Sequence, residues 1–440
     1  MIGLVASYTA CTLAVTLGIV YPYIALLIYV VFAVVKPAEM WFWSLAGTRL
    51  SSLVFCGLAL GWVLHGFADW RLRYAWMPVL ALLWFWGWGW ISWCNSTDTS
   101  LPPPSTSLYS DYSPHKFESP PDQLLQLAKV ILPCVIGITL LDSEKKVLGL
   151  LWAMILAQGY VAWEMNVSYL LEGYNRIRLE GFAGLDNNSV AVSLVTCCLP
   201  AFIAAYYCSS LWLRVMLTAC GLLIIHAILL TFSRGGMIAL LVSVATAFLV
   251  MKGDWKKWIV LVLVTIVAIV LCGPEVWERF MTIFVPPQEL DPAARSRLEL
   301  WEDCLDVMLR FPWCGVGPDN WPRIAVDYGW PPGKEAHSLW LQTGAELGIP
   351  GLLAIVTYYI ATGWRLYRWA PTASSLQATR DAVIVGLSGF VVAAQFVSLE
   401  LLETPYYLAL CGLGGLRFAE LPRLPRGATL CPGCNLASLA

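Results

Sequence analysis

Apolar stretches of about the length that crosses a bilayer recur along almost the whole chain: 3–20, 22–35, 50–65, 75–94, 124–141, 147–163, 188–207, 214–231, 236–251, 257–273, 339–362, 382–400 and 405–417. A bilayer's hydrocarbon core needs about 20 helical residues to span it, and backbone groups in lipid must be satisfied within the segment. The chain is therefore expected to be all-α: a polytopic integral membrane protein with about 12–13 transmembrane helices and one large periplasmic loop subdomain. Several stretches are short, and the Tyr21-Pro22 break reads either as a kink or as a turn, which leaves the count open by one. The 59% hydrophobic and 13% charged content of the 440 residues excludes a soluble multidomain protein. A net charge of −2 on so few ionisable groups leaves no basic face for nucleic acid. Met1 to Val20 has no Lys or Arg and reads as a first span, not a cleavable leader.

The basic residues of the short loops predict the orientation. Arg71, Arg73, Lys145, Lys146, Arg214, Lys252, Lys256, Lys257, Arg365, Arg368, Arg380, Arg417, Arg423 and Arg426 fall on one side if the spans alternate. The positive-inside rule makes that side cytoplasmic, with the polar motifs on the opposite, outer face. The expected division is a helix bundle over 1–273, a large periplasmic loop with short helices over 274–337, C-terminal spans over 338–418 and a cytoplasmic tail over 419–440. The loop is too small to fold without leaning on the bundle. Its Arg297–Phe311 stretch has helical spacing.

Most of the 14 cysteines sit in apolar runs and act as small hydrophobes. Cys304 and Cys314 could pair in an oxidising space. Cys431-Pro-Gly-Cys434 has the spacing of half a zinc ribbon, but a zinc site needs four ligands and no second pair lies nearby, so it reads as a tail turn.

Four polar constellations interrupt the apolar pattern. The first runs from Arg176 and Arg178 through Gly181 and Gly184 to Asp186-Asn187-Asn188-Ser189, where a helix opens. Asp186 or Asn187 fits as its cap, and two arginines beside a helix start fit a phosphate site or a loop with snorkelling side chains. The second is Thr231-Phe232-Ser233-Arg234-Gly235-Gly236, an arginine held tightly between spans. Structural pairing and anion binding explain it equally well. The third places Arg297 and Trp301 on one helix face, followed by Pro312 and Gly315-Val316-Gly317. The fourth runs from Ala336-His337-Ser338 to Glu346-Leu347-Gly348-Ile349-Pro350-Gly351. His337 stands where the chain re-enters the membrane, and the helix dipole there favours a neutral ring able to accept a proton, although Glu335 opposes this. Glu346, nine residues on, is half a turn out of phase and is expected to face a neighbouring helix. Trp321, Trp330 and Trp340 fit either sugar stacking or an interfacial belt.

In their order, these four pieces resemble the O-antigen ligase and polymerase superfamily, and most closely the O-glycosylation ligases that accompany exosortase systems. The resemblance covers about 1–418; the tail after Leu421 has no counterpart, and the Pro/Ser-rich stretch 101–121 is longer than expected. It implies a membrane glycosyltransferase that moves a glycan from an undecaprenyl-diphosphate carrier to an acceptor hydroxyl at the periplasmic face, the acceptor being a glycan, lipid or protein. Carried over, His337 is the catalytic base, while Arg178, Arg297 and Arg234 hold the diphosphate. Arg176, Asn188, Trp301 and Glu346 support them, with Arg176 competing for the place of Arg178.

The chemistry agrees with the residues. A diphosphate leaves as a stabilised anion without a strong general acid, and arginines can compensate its charge. The outer segments contain no Asp-x-Asp pair, so the expectation is an inverting reaction with no metal site and no cofactor. The alternatives are a repeat-unit polysaccharide polymerase and a polytopic glycolipid flippase or exporter. A flippase would carry charge along a central cavity, whereas these charges gather at one membrane face.

Overall fold

The computed structural model describes residues 2–96, 120–251 and 292–418, with the isolated positions 259, 277, 278 and 281. The 257–273 span, most of 101–121, the first part of the large loop, Lys252, Lys256, Lys257 and the tail with Cys431 and Cys434 lie outside the described residues. Within them the chain is all-α. The long helices are α1 Ile2–Val20, α2 Pro22–Val35, α3 Leu50–Leu64, α4 Trp76–Asn95, α5 Pro120–Leu140 and α6 Glu144–Glu172. After the short α7 Arg176–Glu180 come α8 Asn187–Tyr207, α9 Leu211–Leu230 and α10 Arg234–Val250. The series closes with α11 Pro292–Arg310, α12 Leu339–Arg368, α13 Ser374–Ala393 and α14 Glu403–Leu416. Eight of these are long and apolar enough to cross a membrane, and α3 and α10 are shorter apolar helices. Every apolar stretch predicted within the described residues falls on a helix, although the 382–400 stretch leaves its helix at Ala393. The protein is a multi-pass membrane protein.

Tyr21 separates two helices: α1 ends at Val20, and α2 begins at Pro22, whose missing N–H costs nothing at a helix start. α8 is the centre of the bundle, with 89% of its apolar window buried, whereas α1 buries 22% and forms an edge. The core is continuous through the bundle, from Leu26 and Leu58 to Ile155, Val195, Ile224, Val385 and Leu410.

The two ends of the bundle differ in charge. At one end, the Arg417 guanidinium donates to the Asp69 carbonyl at 2.8 Å and the Leu141 carbonyl at 3.0 Å, and it pairs with the Asp69 carboxylate at 3.2 Å. There too Lys146 pairs with Asp142 at 2.7 Å, and Arg365 donates to the Tyr74 carbonyl at 2.5 Å. Arg71, Lys146, Arg365 and Arg417 thus gather at this basic end. At the other end, Lys36 pairs with Glu403 at 3.6 Å, and the Leu339 N–H donates to the Ala394 carbonyl at 2.9 Å.

α11 lies outside the row of spans and begins at Pro292, five residues before the predicted Arg297. Leu300, Cys304 and Val307 form a small core with Val316, Trp321 and Ala345, so the loop leans on α12 as its size requires. Cys304 and Cys314 are both free thiols; Cys304 is a core hydrophobe.

Candidate functional site

Three helix starts and one returning loop meet at the end opposite the basic one. Asn175 caps α7 by accepting the Arg178 N–H at 3.1 Å, and Arg176 turns back to Glu180 at 3.5 Å. Asp186 caps α8: one oxygen accepts the Ser189 N–H at 2.9 Å and the other accepts the Asn188 amide at 3.1 Å. Two asparagines stitch this corner to the end of α9, Asn187 donating to the Thr231 carbonyl at 2.8 Å and Asn175 to the Leu230 carbonyl at 3.0 Å. The Arg178 guanidinium lies 4.3 Å from the Phe232 ring centroid, a cation–π contact two residues before Arg234. Ser233 caps α10 by accepting the Gly236 N–H at 3.2 Å and leaves Arg234, half-buried, as the first helical residue. The first two constellations of the sequence are thus one corner of the molecule.

His337 is held from both sides. The Ala336 carbonyl accepts from the Trp301 indole at 3.1 Å, and its N–H donates to the Gln342 side chain at 3.1 Å. On the far side, the Ser338 N–H donates to the Ser398 hydroxyl at 3.2 Å, and the Ser338 hydroxyl caps α12 by accepting the Leu341 N–H at 3.4 Å. Between these anchors His337 has φ +52°, the left-handed region. Such a conformation costs a non-glycine residue ~1–3 kcal/mol and persists where the surroundings over-determine it.

Electrostatics join this histidine to the other pieces. Burial, then the positive charges of Arg297 and Lys334, push His337 down to about 4, against the opposing pull of Asp186. Its half-buried imidazole is therefore neutral at neutral pH. Glu335 rises to about 7 through burial and the charge of Asp186. Burial raises Asp186, but the hydrogen bonds from Ser189 and Asn188, with the charge of His337, outweigh it and leave the carboxyl below its ordinary value. Lys334 is lowered by burial and by Arg297. The cluster thus holds two cations, two carboxyls and one neutral base.

Glu346 is fully buried in α12 and faces inward, as its phase predicts. One carboxyl oxygen accepts from Gln342 at 3.1 Å, and Gln342 in turn holds Ala336, so Glu346 reaches His337 only through that amide. α12 breaks at Gly348, which has φ +67° and ψ −173°. The loop after α11 clasps this break: the Val316 N–H donates to the Ala345 carbonyl at 3.0 Å, the Gly317 N–H to the Glu346 carbonyl at 2.8 Å, and the Ile349 N–H to the Pro312 carbonyl at 2.8 Å. Ser92 at the end of α4 joins it, donating to the Cys314 carbonyl at 2.6 Å.

Residues 197–356 match the family model for O-antigen ligase. Over that segment the chain is similar to the O-antigen ligase family. The O-antigen ligase match runs from within α8 into α12 and includes Arg234, Arg297, Trp301, His337 and Glu346, while Arg176, Arg178 and Asn188 precede it. The match supports a function of the O-antigen ligase or polymerase type, which is glycan transfer at a membrane. No curated protein matches the chain.

No motif in the sequence marks Lys334 or Gln342. Lys334 sits in a Pro/Gly-rich run three residues before His337, and only the fold places its charge beside the ring. Trp321 is fully buried, the Trp330 indole donates to Asp303 at 2.7 Å and the Trp340 indole donates to the Val391 carbonyl at 3.2 Å. These three indoles serve internal contacts.

Proposed function

We propose that the chain transfers a glycan from an undecaprenyl-diphosphate carrier to an acceptor hydroxyl, with His337 as the base and Arg178, Arg234 and Arg297 holding the diphosphate. The observation that carries the reading is the neutral, backbone-strained imidazole of His337 beside the charge of Arg297 at the mouth of the bundle. In this reading the acceptor oxygen attacks the anomeric carbon as its proton passes to His337. The bond from that carbon to the diphosphate oxygen breaks with inversion, and the electron pair leaves on the diphosphate. Guanidinium groups suit that leaving group because they present paired donors to phosphate oxygens and keep their charge at any physiological pH. They compensate the developing charge without a metal ion.

The helices of 1–273 and 338–418 take the polyprenyl tail from the bilayer, the loop 274–337 presents Arg297 and His337, and the site faces the periplasm of an inner membrane. Arg178, stacked on Phe232, takes the diphosphate role, and Arg176, paired with Glu180, supports it. Trp301 and Gln342 position His337 through Ala336, Asn188 fixes Asp186, and Glu346 fixes Gln342. The test is incubation of purified protein with a lipid-linked oligosaccharide and an acceptor. A ligase moves a finished chain once, whereas a polymerase builds a ladder of chain lengths. Absence of donor consumption by folded protein would contradict both and favour transport.

A further inference from the structure

At the basic end, far from His337, a cavity of about 1340 Å³ opens between the start of α4, the last turns of α12 and the start of α13. Arg73, Arg365 and Arg368 line it, with Glu144 as the carboxylate, and Glu144 already accepts from the Ser375 hydroxyl at 2.9 Å. Arg365 is fixed by the Tyr74 carbonyl and lies 5.5 Å from the Trp76 ring, while Arg368 lies 6.0 Å from the Trp364 ring. Most of the remaining wall is apolar, including Val356, Ile360 and Leu416, with Thr357 and Thr372 among its polar members. We propose that this groove binds one phospholipid with an anionic headgroup, its phosphate on Arg73 and Arg368 and its acyl chains along α12.

The charge pattern favours this occupant. Three guanidinium groups against one engaged carboxylate match a phosphate, and a free phosphate would leave the apolar wall uncovered. Exposed Trp76 and Trp364 fit the headgroup level, where an indole meets both apolar chains and water. The chain's own tail is a poorer fit: it continues from Phe418, which lines the cavity, and its charged side chains, Glu420, Arg423 and Arg426, are in positive excess, a poor match to a cavity lined by three arginines.

The test measures the melting temperature of the full chain in a neutral detergent with added phosphatidylglycerol, phosphatidylcholine or inorganic phosphate. Phosphatidylglycerol raises Tm beyond the other two in the wild type. That extra rise is lost in Arg73→Gln/Arg368→Gln and retained in Arg73→Lys/Arg368→Lys, which keeps the charge and controls for folding. Equal rises with both lipids, a full rise with phosphate alone, or an undiminished rise in the glutamine variant would overturn the proposal. So would the absence of any lipid effect on the wild type, the outcome expected if the tail fills the groove.

Discussion

A histidine needs two properties to act as a base here: an uncharged ring and a fixed place. His337 has both, the first from burial beside Arg297 and Lys334, the second from anchors on Ala336, Ser338 and Leu339. Its folded-state pKa lies below its ordinary value, so the base remains available as pH falls until about 4. The acid limb of kcat/KM, which reports the free enzyme, is expected well below 6.5, and a limb at or above 6.5 contradicts the assignment. Arg297→Ala removes a cation that holds the ring neutral, so the His337 pKa rises toward its ordinary value, and donor KM rises with it. Titration of the ring by NMR and donor kinetics measure the two effects separately. The position of His337 was legible as a rare residue at a membrane re-entry, and the fold puts it there, just before α12. Its left-handed backbone was not, because that conformation is imposed by Trp301, Gln342 and Ser398 from three other places in the fold.

Among the elements, α12 carries most of the geometry. Its break at Gly348 leaves the Ala345 and Glu346 carbonyls without helical partners, and the loop 312–317 supplies N–H donors to both. Glycine is required on each side of the clasp: a Cβ on Gly348 would collide with the Trp313 backbone, and one on Gly315 with the Glu346 backbone, both at positive φ. Gly348→Ala is therefore expected to destabilise the protein by about 2 kcal/mol or more and to lower kcat by displacing Gln342, and thus His337. Thermal unfolding in detergent and transfer kinetics check both outcomes; a variant with unchanged Tm would show that the kink tolerates a side chain. Gln342→Ala leaves the buried Ala336 N–H without its acceptor, and kcat is expected to fall more than KM changes. Sequence showed Gly315-Val-Gly317 and Glu346 to Gly351 as separate motifs. That they form one clasp follows from long-range backbone hydrogen bonds, which leave no periodic trace in the residues.

At the scale of the whole molecule, the helical architecture was almost fully legible, because in lipid each span must satisfy its own backbone and so announces itself by length. The alternation of ends was legible too: Arg71, Lys146, Arg365 and Arg417 gather at one end and the four constellations at the other. What the sequence left open was the convergence of those constellations, since α8, α10, α11 and α12 are brought together by packing of apolar faces that look alike in any order. The sidedness makes a further prediction. Alkaline phosphatase, active only in the periplasm, should be active when fused after Glu180 and inactive when fused after Lys146. The reverse pattern would turn the site toward the cytoplasm and remove the lipid-linked donor from its reach.

The most direct test of the central claim is glycan transfer from a purified undecaprenyl-diphosphate donor by detergent-solubilised wild type and His337→Gln, with EDTA present in both. The account predicts release of carrier diphosphate by the wild type and a loss of at least about 100-fold in the folded variant, the size expected for removing a general base. Equal release by the two proteins would contradict it and make His337 a structural residue.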